Sequence, residues 1–78
     1  MLKGSRVAIL RRLQPTSFHG QLFMDVFFVL PDDVEGQVHA ARVGPEIVPR
    51  DLQPGDRIVL SYLMGMVTSI TRVADGPA

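Results

Sequence analysis

The sequence predicts an all-β fold, a small barrel of five short strands, and three observations predict it. The segment from Leu52 to Val73 reads as a Pro-Gly-Asp turn, a β-branched strand, a tight loop and a second β-branched strand. Between Gln21 and Leu30 every even position is apolar, the period of a strand buried on one face. The longest connection, Gly44 to Gly55, holds Pro45, Pro49 and Pro54, which leaves room for one helical turn at most.

Taken in order, Arg6 to Leu13 is the first strand, because Val7, Ala8, Ile9 and Leu10 form a short apolar run flanked by charge and too brief for a typical helix. Gln14 to Gly20, with Pro15 inside it, reads as a loop. The second strand, Gln21 to Leu30, turns Leu22, Met24, Val26, Phe28 and Leu30 to the core. Its other face carries Gln21, Phe23, Asp25, Phe27 and Val29, a half-wet surface with two aromatic rings. An acidic turn, Pro31 to Gly36, leads to a third strand, Gln37 to Val43, with Val38 and Ala40 inward. A helical turn is expected at Pro49, where a missing N–H costs nothing, with Ile47 and Leu52 plugging one end of the barrel.

Two registers compete for the last hairpin. A two-residue loop sets Arg57 opposite Arg72 and forces Met64 to positive φ, both unfavourable. A three-residue loop of Leu63, Met64 and Gly65, with Gly65 left-handed at a bulge, is therefore expected. It pairs Tyr62 with Met66, Leu60 with Thr68 and Ile58 with Ile70, and puts Ile58, Leu60, Tyr62, Met66 and Ile70 on the core face.

Seventy-eight residues make one domain, expected over 1–74, with 75–78 a mobile tail that has nothing to bury. Without cysteine there is neither a disulfide framework nor a thiolate zinc site, so the core alone must hold the chain. No run approaches the ~18 apolar residues of a membrane span, and Met1 to Ser5 lacks the apolar region of a secretory signal, so a cytoplasmic protein is expected. Zero net charge argues against a strongly basic polyanion binder. The charge is nonetheless segregated along the chain. Residues 1–24 carry Lys3, Arg6, Arg11 and Arg12 and no acid, whereas residues 25–56 carry seven acids against Arg42 and Arg50.

Phe27-Phe28-Val29-Leu30, the return strand from Gly36 to Val43, and Leu52-Gln53-Pro54-Gly55-Asp56-Arg57-Ile58-Val59-Leu60 leading to Met66-Val67-Thr68-Ser69-Ile70 resemble, in this order, the second half of bacterial translation initiation factor one and related RNA-binding barrels. The resemblance covers roughly residues 20–72 and lies at the level of topology. It implies a five-stranded OB-like Greek-key barrel, with an SH3-like barrel as the alternative arrangement. It also implies a ligand face on the second and third strands and their flanking loops, where Phe23, Phe27, His39 and Arg42 stand, with Phe18 and His19 from the first loop.

Read from the residues themselves, Phe23 and Phe27 are stacking platforms for bases, with Arg6, Arg11 and Arg12 on the adjoining strand for phosphates. About three neutralised phosphates give a salt slope near −2. The competing reading packs both rings under the proline-rich connection or against a second copy of the chain. Soft ligand types occur at His19, His39, Met24, Met64 and Met66, but Met24 and Met66 are read as core, which leaves no metal site. No nucleophile elbow and no glycine-rich phosphate loop is present, so an enzyme is not expected and no cofactor is implied. The expectation is a binding module for single-stranded DNA or RNA that uses Arg6, Arg11, Arg12 and Arg42 with Phe18, His19, Phe23, Phe27 and His39. The alternative is a protein-interaction or homo-oligomerising module that uses the same apolar patch.

Overall fold

A computed structural model of the chain describes residues 3–73; the tail expected at 75–78 lies outside the described residues. Five strands, β1 (Lys3–Phe18), β2 (Gln21–Val29), β3 (His39–Val43), β4 (Arg57–Leu63) and β5 (Met66–Arg72), form one antiparallel sheet in the order β3-β2-β1-β4-β5. The sheet curls until β3 approaches β5 but is not closed by hydrogen bonds, an all-β architecture compatible with a small OB-like barrel. The only helical element among the described residues is a single 3-10 turn, Pro45–Ile47.

The central device is β1. Its first half, Lys3 to Ile9, pairs with β4, and its second half, Ile9 to Phe18, pairs with β2. The changeover falls at a bulge whose extra residue is Arg11, between the pairs Leu10↔Phe28 and Arg12↔Phe27. At the changeover the Leu10 N–H donates to the Asp56 carbonyl, and the Leu10 carbonyl accepts from the Gly55 N–H, so the Pro-Gly-Asp turn satisfies the bent strand. The bulge also resets the alternation. Leu10 and Leu13 lie three residues apart and a regular strand would turn them to opposite faces, yet both reach the core.

Inward rows from all five strands make that core: Ala8 and Leu10 from β1, Val26 and Phe28 from β2, Val43 from β3, Ile58 and Leu60 from β4, and Ile70 from β5. Leu52, from the connection before β4, joins this core, and Ile47 packs against the cluster. Among the described residues the buried set contains no polar or charged residue, so no polar side chain has to be desolvated in it.

Several expectations need correction. β1 does not stop at Leu13 but continues through Pro15 to Phe18, leaving only His19 and Gly20 as a tight turn. Pro15 is tolerated because β1 beyond the bulge has a partner on one side only, an edge where a missing N–H is harmless. The end of this β1–β2 hairpin reaches past β3, whose pairing begins at Met24, and past β4, whose pairing ends at Ile9. Leu22, expected inward, is therefore 53% exposed, while Val29, expected wet, is buried. In β3 the inward row is His39, Ala41 and Val43, and Val38 and Ala40 are exposed instead. The 3-10 turn starts at Pro45 rather than Pro49.

The β4–β5 hairpin departs from both registers. Its loop is the two residues Met64 and Gly65, at φ 55° and 82°, closed by the pair Leu63↔Met66. A bulge at Thr68 then shifts the ladder by one, so that Ile58 faces Arg72 and the Val73 N–H donates to the Arg57 carbonyl. The like-charge pairing that counted against the short loop is thereby avoided. The shift turns Val67 towards the core and leaves Met66 70% exposed.

Candidate nucleic-acid interface

Paired residues of an antiparallel ladder share a face, so the register defines the outer surface of the sheet. Across β3, β2 and β1 that surface carries Ala40 and Arg42, then Phe23, Asp25 and Phe27, then Arg12, Gln14, Thr16 and Phe18. Phe23 and Phe27 are half-buried, and four residues of strand separate them by about 13 Å. Arg12 reaches this face because the Arg11 bulge turns it outward. Its guanidinium lies over the Phe27 ring, 5.0 Å from the centroid, and donates to Gln14 Oε1.

Asp25 occupies the middle of the surface. Its carboxylate accepts from Arg42 Nε at 2.9 Å and Nη2 at 3.3 Å, a two-pronged fork, and from Thr16 Oγ1 at 2.9 Å. These donors hold the Asp25 carboxyl below the usual carboxylate range, Arg42 contributing most and Thr16 next, against a smaller opposing effect of burial. The Arg42 guanidinium is held correspondingly higher than usual by the same carboxylate. Arg42 is thus half of a neutral pair, not a free cation.

The other predicted residues are distributed unevenly. Phe18 stands at the end of the outer row, 55% exposed, with His19 in the adjacent turn edge-on to its ring at 4.2 Å between centroids. Arg11, the bulge residue, is exposed. Arg6 pairs with Leu60 and so belongs to the opposite face, where it shares a hollow with Leu30, Pro31 and Asp32. His39 also belongs to the inner row. Its ring stacks on Phe28 at 5.6 Å, beside the gap between β3 and β5. His19 and His39 sit at opposite ends of β2, and Met64 and Met66 lie exposed on the far hairpin.

One cation escaped the sequence reading. Arg57 lies opposite Ile9 on the outer face, on β4 and two strands over from β2, in a row that continues through Val59. Its alternation with Val59 and Ser61 was legible, but the β1–β4 pairing that brings it alongside Arg12's strand was not.

Comparison with known proteins adds no name: no family model, no curated protein and no solved structure matches the chain. No helix among the described residues is long and apolar enough to cross a membrane.

Proposed function

We propose that the outer face of β1, β2 and β3, together with the start of β4 beside β1, binds single-stranded DNA or RNA without catalysing a reaction. The observation that carries this reading is the placement of the half-buried Phe23 and Phe27 in one row of the outer face, with Arg12 across from Phe27. Stacking ring and phosphate-seeking cation thereby share a surface. Arg11, Arg12 and Arg57 are the phosphate contacts, Phe23 and Phe27 take bases, and Phe18 extends the platform towards the hairpin tip. The long bent β1, shared between β2 and β4, favours an OB-like over an SH3-like arrangement, in line with the resemblance to initiation factor one and related barrels. The β1–β2 and β4–β5 turns are each only two residues long, and in this reading the strand face supplies the contacts.

Titration of a labelled mixed-sequence single strand against the wild type and Phe27→Ala tests the reading. Loss of one stacking ring is expected to weaken binding by about 5- to 150-fold. Equal affinities for the two proteins reject it.

A second reading has its own support. Leu63, Met64 and Met66 are 48%, 67% and 70% exposed at the β4–β5 hairpin, an apolar patch suited to a protein partner or a second copy of the chain. A dimer mass in solution that persists at high salt, without oligonucleotide binding, favours it.

A further inference from the structure

Between Phe27 and Arg42 the outer face is indented. The residue opposite Phe27 on β3 is Ala40, whose single methyl group leaves a groove of about 410 Å³ lined by Asp25, Phe27, Ala40, Ala41 and Arg42. Arg12 crosses Phe27 from β1, on the other side of β2 from this groove. The Arg42 guanidinium spends Nε and one Nη2 hydrogen on Asp25, and Thr16 braces that carboxylate from β1. Its outer edge, Nη1 and the second Nη2 hydrogen, remains as a second fork of parallel donors.

We infer that this groove is a guanine subsite, in which the base stacks on Phe27 and the free fork of Arg42 donates to its O6 and N7. The assignment rests on the single-strand reading above and adds a base preference to it. Phosphate is the weaker fit, because the Asp25–Arg42 pair has no net charge to attract an anion and the carboxylate oxygens stand beside the fork. A neutral edge with two adjacent acceptors meets the fork without that repulsion, and guanine presents one at O6 and N7. Adenine sets a donor beside its N7, and thymine offers a lone O4 beside a methyl group on that edge. Cytosine also has two neighbouring acceptors on its pairing edge, but its single ring covers less of Phe27.

Fluorescence anisotropy at one fixed salt concentration tests the assignment. The probes are a labelled oligothymidylate of about nine residues and the same strand with one central guanine, cytosine or 7-deazaguanine. The guanine strand is expected to bind about 5-fold or more tighter than the plain strand. Replacing N7 by carbon removes one acceptor and cuts that advantage to within about twofold. Arg42→Lys, which keeps the charge and loses the fork, brings the guanine-to-thymine ratio to about one. Equal binding of the guanine and plain strands by the wild type, or a preference that survives either 7-deazaguanine or Arg42→Lys, overturns the guanine assignment and leaves single-strand binding standing. Failure of every strand to bind overturns both.

Discussion

The Arg12 guanidinium lies 5.0 Å from the centroid of the Phe27 ring, directly across the β1–β2 ladder, and it is there because one extra residue, Arg11, breaks the alternation of β1. Without the bulge, a strand with Leu10 inward would also turn Arg12 inward. The same irregularity supplies Leu13 to the core and a cation to the outer face. The contact is exposed, so its worth is about 0.5–1 kcal/mol. A double-mutant cycle of Arg12→Gln and Phe27→Leu, followed by urea unfolding, is expected to show coupling of that size. Strictly additive effects refute the contact.

Arg6 and Arg57 make opposite predictions about salt. Arg57 shares the outer face with Arg12, whereas Arg6 pairs with Leu60 on the other side of the sheet. With Arg11, Arg12 and Arg57 engaged, log affinity for single strands is expected to fall against log salt with a slope near −2. Arg57→Ala is expected to make that slope shallower by about 0.7, and Arg6→Ala to leave it unchanged. The reverse pattern moves the interface to the other face.

The Asp25 carboxyl is held below its ordinary 3.8 by the Arg42 fork first and the Thr16 hydroxyl second. A depressed folded-state pKa stabilises the fold fully above the unfolded value, and this stabilisation is lost as pH falls through the folded value. The stability difference between the wild type and Asp25→Asn is therefore expected to hold from pH 7 to about 5 and to shrink below about 3.8. A difference that grows on acidification contradicts the assigned pairing. Urea midpoints at three pH values measure it.

Met64 occupies left-handed backbone at φ 55° ahead of Gly65 at 82°, the pair of conformations a two-residue primed turn requires. A side chain with a Cβ pays about 1 kcal/mol there, and Met64, 67% exposed, recovers little by packing. Met64→Gly is expected to raise the melting temperature by about 4–8 °C, and Gly65→Val to lower it. A lower melting temperature for Met64→Gly means that Met64 packs against something this arrangement leaves out.

Much of this was legible in the sequence, and what was not has identifiable causes. β2 could be placed almost to the residue because its alternation is unbroken and it lies at the centre of a three-strand pairing. The ends of β1 could not, since Lys3 to Ser5 and Gln14 to Phe18 are polar or proline-bearing and are held as strand by their ladder partners, not by a hydrophobic pattern of their own. Both bulges were invisible for a related reason. Each changes which residue faces inward, Leu13 after Arg11 and Val67 before Thr68, and only the pairing partner reveals the change. In β3, Val38-His39-Ala40-Ala41-Arg42-Val43 offers an apolar residue on either parity, and the choice fell to the burial of Val43 against β2. The candidate site followed the same division. Phe23 and Phe27 were readable from one strand's period, while Arg57's membership and Arg6's exclusion depend on which strands are neighbours.

The most direct test of the proposed face is an amide chemical-shift titration of the protein with a mixed-sequence single-stranded oligonucleotide at low and high salt. Shifts concentrated on Arg11 to Thr16, Phe23 to Phe27 and Ala40 to Arg42, and weakened by salt, are the predicted result. Absence of shifts on these strands, or salt-insensitive shifts confined to Leu63 through Met66, contradicts it.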